Sequence, residues 1–279
     1  MFTIVSALIT KCRRKYGDIP KSVQVARQGN GTINLFNLAR FPVIENSYSI
    51  YVANSLRAAS AYTLDLDSGD LLMNTTPSNG QEVKSIHKYA HFRDQNWVEA
   101  INEGIEELNA RGFFRQVARQ SFTISAGVRV FSGPSACVDM YEVLYSPTSG
   151  SFNKLPVNWS YQQDANKLIL GNTFTTAYSG VRSYLRNLQT YNATSATVDV
   201  LKDWEEAVMK KAGAIFMRSV ANKIAKQGNA TIEEGHFSFS NLRTAANDLD
   251  ADFERFAARK KPTRPAKDLQ WALPGGGNA

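Results

Sequence analysis

The stretch FRDQNWVEAINEGIEELNARGFF, Phe92–Phe114, decides the fold. Trp97, Ile101, Ile105 and Leu108 follow one another at steps of four, four and three, which puts them on one face of a helix. Asp94 is placed to cap its start, because a short side-chain oxygen there accepts from the free amides of the first turn. Glu99 lies near the positive helix start. Gly112 stands where a left-handed C-terminal cap belongs. Strand-like sequence lies on both sides, so the rest of the chain is read as arranged around this helix.

Upstream, Met1–Tyr16 reads as a short helix with the stripe Phe2, Val5, Leu8 and Ile9. Gly17, Asp18 and Pro20 stop it, and its cationic last turn suits the negative helix end. Between Val23 and Tyr89 the sequence is strand-like. Ser49–Val52 and Tyr62–Leu66 alternate in the strand manner, and Asp67–Asp70 turns the chain back into Leu71–Met73. A second turn at Pro77, Asn79 and Gly80 precedes Val83–Tyr89, giving a small antiparallel meander. Downstream, Ser121–Ile124 and Val128–Phe131 surround the turn at Ala126–Gly127. Val138–Tyr145, Leu155–Tyr161, Lys167–Leu170 and Val181–Leu188 follow, with Leu155–Tyr161 and Lys167–Leu170 paired across a turn at Asp164–Asn166. Short strands with regular turn signals predict a small sandwich or barrel.

Asp199 to Gln227 is the longest predicted helix, with Asp199 as its cap, Gly228 as its end and Leu201, Trp204, Val208, Ala212, Ile215 and Ile224 near one stripe. Ser240 is placed to cap a last helix. There Leu242, Ala246, Leu249, Phe253 and Phe256 alternate by four and three, a seam for another helix. From Arg259 the character changes. Lys260, Lys261, Pro262, Arg264, Pro265 and Lys267 lead into the apolar patch Leu269–Pro274 and a final Gly-Gly-Gly-Asn-Ala. Such a tail is either a disordered end or an arm that docks on a neighbour, and Trp271 favours docking because tryptophan is enriched at interface anchors.

The chain of 279 residues can bury a sizeable core, as one large domain or two small ones. With 43% hydrophobic and 20% charged residues it is globular. A net charge of +7 permits contact with nucleic acid or an acidic protein without demanding either. Two cysteines, Cys12 and Cys137, are too few for a disulfide framework and fit a reducing compartment. The apolar run Phe2–Thr10 precedes its basic residues, the reverse of a signal peptide. No run reaches the roughly 18 apolar residues of a membrane span. The expectation is a soluble protein at work in the cytoplasm where it is made.

No catalytic pattern stands out. His87 and His91 are four apart, but Lys88 stands where a zincin would carry glutamate. Asp65, Asp67 and Asp70 would need a bidentate glutamate at the twelfth calcium-loop position, and Thr76 is there. Ser135 follows a proline and lacks the nucleophile-elbow glycine, and Cys137 reads as core. There is no Walker loop. Glu106–Glu107, Glu205–Glu206 and Glu233–Glu234 read as exposed. Trp159, Tyr161, Tyr178, Tyr184 and Tyr191 could stack bases, but half of such alternating residues should face the core. The reading is of a protein that is not an enzyme and takes no metal or cofactor.

The order of parts carries a resemblance. A helix ending in RRKYGD precedes PVIENSYSIYVAN and YTLDLDSGDLLMNTTPSNGQEVKSIHKYAHFRD. Then come DQNWVEAINEGIEELNARGFF, a β segment holding KLILGN and VRSYLRNL, and two helices. This organisation, over about residues 1–258, resembles the head-to-tail adaptor (head completion, connector) proteins of tailed bacteriophages. Their Y-x-L-D hairpin is matched by Tyr62–Asp65 and their W-x-x-A-I-N helix by Trp97–Asn102. The resemblance implies an α+β fold with a bundle of three to four helices, inserted antiparallel β segments (a hairpin meander and a small β-sandwich) and an extended C-terminal arm. On that plan residues 1–16, 92–114 and 199–258 form the bundle, 23–89 the meander, 119–190 an inserted β domain and 259–279 the arm. The β segments are larger than in compact members of the family.

The function implied is a ring, commonly of twelve copies, that joins the portal protein to a tail-side neck or terminator protein. Genomic DNA would pass through it without sequence-specific binding and no membrane would be involved. The protein would reside in the virion neck after assembly in the host cytoplasm. The resemblance makes Leu269, Trp271 and Leu273 the anchors of a portal-docking arm and Lys260, Lys261, Arg264 and Lys267 its electrostatic guide. An alternative is a tail or baseplate component that binds another virion protein through its β segments. A third is a basic nucleic-acid-binding protein, marked by a steep loss of affinity with salt.

Overall fold

The computed structural model describes residues 4–148, 151–194, 196–197, 200–226 and 239–259. Helix α1 (Val5–Tyr16) is followed by strands β1 (Lys21–Gln28), β2 (Leu35–Asn37), β3 (Ser49–Val52), β4 (Ser55–Leu56), β5 (Tyr62–Leu64), β6 (Asp70–Met73) and β7 (Glu82–Tyr89). Helix α2 (Asp94–Ala110) leads to β8 (Arg115–Ile124), β9 (Val130–Ser132), β10 (Cys137–Thr148), β11 (Ser151–Lys154), β12 (Trp159–Gln162), β13 (Lys167–Leu170) and β14 (Tyr178–Arg186). Helices α3 (Lys202–Lys226) and α4 (Phe239–Arg259) complete the described chain. It is a mixed α+β protein, with four α-helices and four small antiparallel sheets among the described residues. The described residues divide into two compact units: those within Met1–Gly104 and Tyr191–Glu254, and those within Ile105–Thr190 and Arg255–Ala279.

In α2 the apolar spacing does what it promises: Trp97, Ile101, Ile105 and Leu108 have no accessible surface. Gly112 takes φ +80, Phe113 donates its amide to the Leu108 carbonyl at 3.0 Å and Gly112 to Asn109 at 3.0 Å. These are the two bonds of a Schellman cap, closed by the buried Leu108 and Phe113 side chains. The start of the helix corrects the expectation for Asp94. The Arg93 carbonyl accepts from Trp97, so Arg93 holds the cap position, and its amide donates to Asn96 Oδ1 at 3.0 Å. Glu45 Oε2 accepts the amide of Asp94 at 3.2 Å. The cap is thus assembled partly from a loop distant in sequence, which local pattern does not reveal.

Helix α1 buries Val5, Leu8, Ile9, Cys12 and Tyr16. Gly17, at φ 77, ends it by donating to the Arg13 carbonyl. Its free first-turn amides are met by backbone: Val5 and Ser6 donate to the carbonyls of Ala196 and Thr194 at 2.9 and 2.8 Å. The expected positions Phe2, Asp199 and Gly228 lie outside the described residues. Leu201, read as part of the α3 stripe, instead sits before the helix, where its carbonyl accepts from Trp204 and Glu205 and its side chain is exposed. Ser240, expected as a cap, is the second residue of α4. The α4 seam is as read for Leu242, Ala246 and Phe253, all buried, with Leu249 and Phe256 half-buried.

Within the first unit α1 and the parts of α2 and α4 that belong to it pack on α3. A Cβ on Gly213 would lie 2.2 Å from Tyr16 Cζ, and one on Gly104 would lie 3.3 Å from both the Lys211 Cβ and the Val208 carbonyl oxygen. Glycine therefore lets α1 and α2 approach α3 closely. The Trp97 and Phe216 rings stack at 5.1 Å, and Phe92 meets both edge-on. Across α3 and α4, Lys210 pairs with Asp252 at 3.0 Å, Lys211 with Asp250 at 3.4 Å and Arg218 with Asp250.

The β part of this unit is not a simple meander. β1 pairs with β7 from Lys21↔Tyr89 to Gln28↔Glu82, so the first strand joins the last. Two sheets result, ordered β1-β7-β3-β4 and β2-β6-β5. Alternation fixes which face of a strand is buried but not which strand it pairs with. The sheets share one core: Phe36, Leu38, Leu71 and Met73 from one side, and Ile50, Val52 and Val83 from the other. In the second unit, sheets β11-β10-β14-β8 and β12-β13-β9 likewise share a core of Ile124, Met140, Val143, Tyr184, Leu168 and Leu170. β8 and β9 flank the Ala126–Gly127 turn but enter different sheets. Leu155–Tyr161 is not one strand, because Pro156 interrupts it between β11 and β12.

Candidate docking surfaces

The residues weighed for chemistry in the sequence make the following contacts in the fold. The His87 ring is held between Ser85 Oγ, 2.8 Å from Nδ1, and the Arg40 carbonyl, 2.9 Å from Nε2. A carbonyl only accepts, so Nε2 carries the proton and Nδ1 takes the serine hydroxyl, leaving no lone pair for a metal. Burial lowers the His87 pKa. His91 faces the Phe216 ring and donates its amide to Asp18 Oδ1 at 2.7 Å. Asp65 Oδ1 accepts the amides of Asp67 and Ser68, which makes the loop a hairpin turn between β5 and β6 and pulls the carboxyl pKa down. Burial pushes the Cys137 thiol up. Of the aromatics, Tyr184 and Tyr191 are buried, and Trp159, Tyr161 and Tyr178 pack on the second unit's core.

Sequence reasoning missed the polar pin of the first unit. Arg13, read as one of several helix-end cations, is buried. Its guanidinium donates to Asp18 Oδ2 at 2.8 Å, Asp94 Oδ1 at 2.9 Å and the Phe92 carbonyl at 2.8 Å. Asp18 Oδ2 also accepts from Trp97 Nε1 at 2.8 Å. Burial pushes the Asp18 carboxyl up, against the pull of Arg13 and Trp97. Glu205 departs from its exposed reading too: it is buried and paired with Lys11 at 2.9 Å. Nothing local distinguishes these residues from ordinary surface charges.

Among the described residues, the outer faces of the first unit's sheets carry exposed apolar rows. On β2-β6-β5, Leu35 lies opposite Leu72, which lies opposite Thr63. The next row is Asn37, Asp70 and Asp65, with Asn37 donating to Asp70 Oδ1 at 2.8 Å. Ile33 precedes the strand and is exposed, like Leu35 and Leu72. On β1-β7-β3-β4 the outer rows are Gln24, Ile86 and Ser49, then Ala26, Lys84, Tyr51 and Leu56, with Lys88 beyond. The Lys84 ammonium lies 5.2 Å from the Tyr51 ring centroid. A further open cleft, between α3 and α4, is lined by Arg218, Asn222, Arg243 and Asn247.

The expected arm residues Lys260, Lys261, Arg264, Lys267, Leu269, Trp271 and Leu273 lie outside the described residues; α4 ends at Arg259 immediately before them. Among the described residues no helix is long and apolar enough to cross a membrane, and no group of three or more His, Cys, Asp or Glu is placed to hold a metal ion. No protein-family model matches the sequence, and no curated protein is significantly similar to it.

Proposed function

We propose that this chain is a structural virion protein, an adaptor that forms a ring between portal and tail and contributes to the DNA channel. One observation carries the reading. The helices α1, α3 and the described parts of α2 and α4 in the first unit pack on one another as a bundle, with β sheets inserted between them in the order that the sequence resemblance implies. The finer architecture follows on this reading: a helical bundle core, inserted β segments and a docking arm over 259–279. Fold order supports a family and not by itself a role, so the test is functional. The full-length protein and a form truncated after Arg259 are each mixed with the portal protein of the same phage and imaged by electron microscopy. The adaptor reading expects an added ring layer beneath the portal, lost on truncation. No layer with either form overturns it.

A second reading, a tail or baseplate component, is favoured by the second unit. Its β8 is a ten-residue edge strand, and Phe152 on the opposite edge strand β11 is exposed. Open edges of this kind add strands from a partner. Location of the protein at the tail tip of the virion, by labelling with an antibody, would select it.

A further inference from the structure

The two open sheet faces of the first unit complement each other. The β2-β6-β5 face has an apolar centre of Ile33, Leu35 and Leu72, exposed by 50%, 54% and 43%, beside the carboxylates of Asp65 and Asp70. The β1-β7-β3-β4 face has an apolar centre of Ile86 and Leu56, exposed by 40% and 64%, with Tyr51, and its charges are mainly Lys84 and Lys88, with Glu82 at one end. Both faces are exposed apolar rows with charge beside them, of opposite sign. Both sheets pack on one core, so these faces point away from each other on opposite sides of a sandwich.

We infer that these faces meet between successive copies of the chain, the acidic β2-β6-β5 face of one copy lying on the basic β1-β7-β3-β4 face of the next. The inference rests on the ring reading for taking a second copy as partner, and goes beyond it in naming the surfaces. Charge selects the pairing. Acidic against acidic or basic against basic places like charges together, so a two-fold dimer through either face is disfavoured. A contact between different faces leaves one of each open on every pair. It therefore propagates and ends only when the rotation closes a ring. The β2-β6-β5 face is three strands, about 14 Å, wide. Its strands are three to four residues, about 13 Å, long, so its area is about 200 Å², far below the roughly 800 Å² per partner of a standard stable interface. Each contact is weak alone, and closure makes the ring persist.

The test uses the full-length chain, with Asp70→Lys and Lys88→Glu, two surface changes, made singly and together. Self-association is followed by sedimentation over a wide concentration range, with circular dichroism as a check on folding. The wild type should form species beyond the dimer. Each single change should weaken association about tenfold or more. An equimolar mixture of the two single variants, and the double variant, should both recover it, since the introduced lysine of one copy then faces the introduced glutamate of the next. Association that is unchanged by the single variants, stops at the dimer, or is absent at every concentration overturns the inference. So does association lost on truncation after Arg259, which would make the basic arm the occupant of the acidic face. The portal experiment separates the two failures: a ring layer on the portal that ignores both charge changes sinks these faces and leaves the adaptor standing, whereas no layer with the wild type sinks the adaptor.

Discussion

Replacing Gly213 by alanine should destabilise the first unit, against the usual trend for a helix. In a free helix, alanine is about 1 kcal/mol better than glycine. Here the new Cβ would lie 2.2 Å from Tyr16 Cζ and 2.6 Å from both Cε atoms. Relaxed carbon contacts are about 3.5–4.0 Å. Tyr16 has little room to yield: it is buried, its hydroxyl donates to the Met209 carbonyl at 2.8 Å and its ring stacks near Trp97. Overpacking costs about 1–3 kcal/mol, and a wedged ring places this case at the upper end. After the propensity gain, the net loss should be about 2 kcal/mol. Urea titration followed by tryptophan fluorescence measures it, with far-UV circular dichroism as a second probe, because two units unfolding separately would split the transition. In a Tyr16→Leu background the obstacle is gone, and the same change should be neutral or stabilising. A Gly213→Ala protein more stable than wild type, or an equal loss in both backgrounds, would refute the close approach of α1 and α3.

Asp18→Asn keeps an acceptor for Trp97 but strips the charge beside the buried Arg13 guanidinium; thermal melting should show a loss of about 3 kcal/mol, the scale for a broken buried pair. His87 has a folded pKa below its usual 6.5 because burial disfavours the imidazolium, so its neutral form is the one that the fold prefers. Its contribution is complete above that value and is lost as pH falls through it toward the lower folded pKa. Melting temperatures taken between about pH 7.5 and pH 5 should fall, and His87→Gln should flatten that part of the profile. Cys12 is pushed up to about 12 by burial, so at pH 8 about one molecule in ten thousand carries its thiolate. Alkylation read by mass spectrometry should label Cys12 only after urea is added. Truncation after Arg259 should leave the melting temperature of the protein unchanged.

Sequence was a good guide wherever a signal is local. The spacing of Trp97, Ile101, Ile105 and Leu108, the stop at Gly112, the hairpin around Asp65–Asp70 and the pairing of β12 with β13 depend on residues a few positions apart, and the structure reproduces them. What failed depends on distant partners. The pairing of Lys21–Gln28 with Glu82–Tyr89 bridges two segments whose own alternation is silent about each other. Arg13 and Glu205 look like solvated charges until Asp18 and Lys11 are brought beside them. Asn102 shows the same limit: its side chain exchanges two hydrogen bonds with the backbone of Tyr191, at 2.7 and 2.8 Å, and an asparagine in a helix gives no hint of such a clamp. The open faces of the sandwich were half legible, since alternation names the outward residues, but their pairing into rows needs the register.

Gly213 within α3 and Gly104 on the facing α2 have a mechanical consequence. Gly104 brings α2 onto α3 near Lys211, and Gly213 brings α3 onto the Tyr16 ring of α1. Sliding α3 along its axis by even one residue would drive a side chain into the space that each glycine leaves. Rotation meets the same obstacles. The helix is therefore notched in place at two levels and behaves under load as a strut that resists slipping: a push on one end reaches the other with little lost to creep along the packed faces.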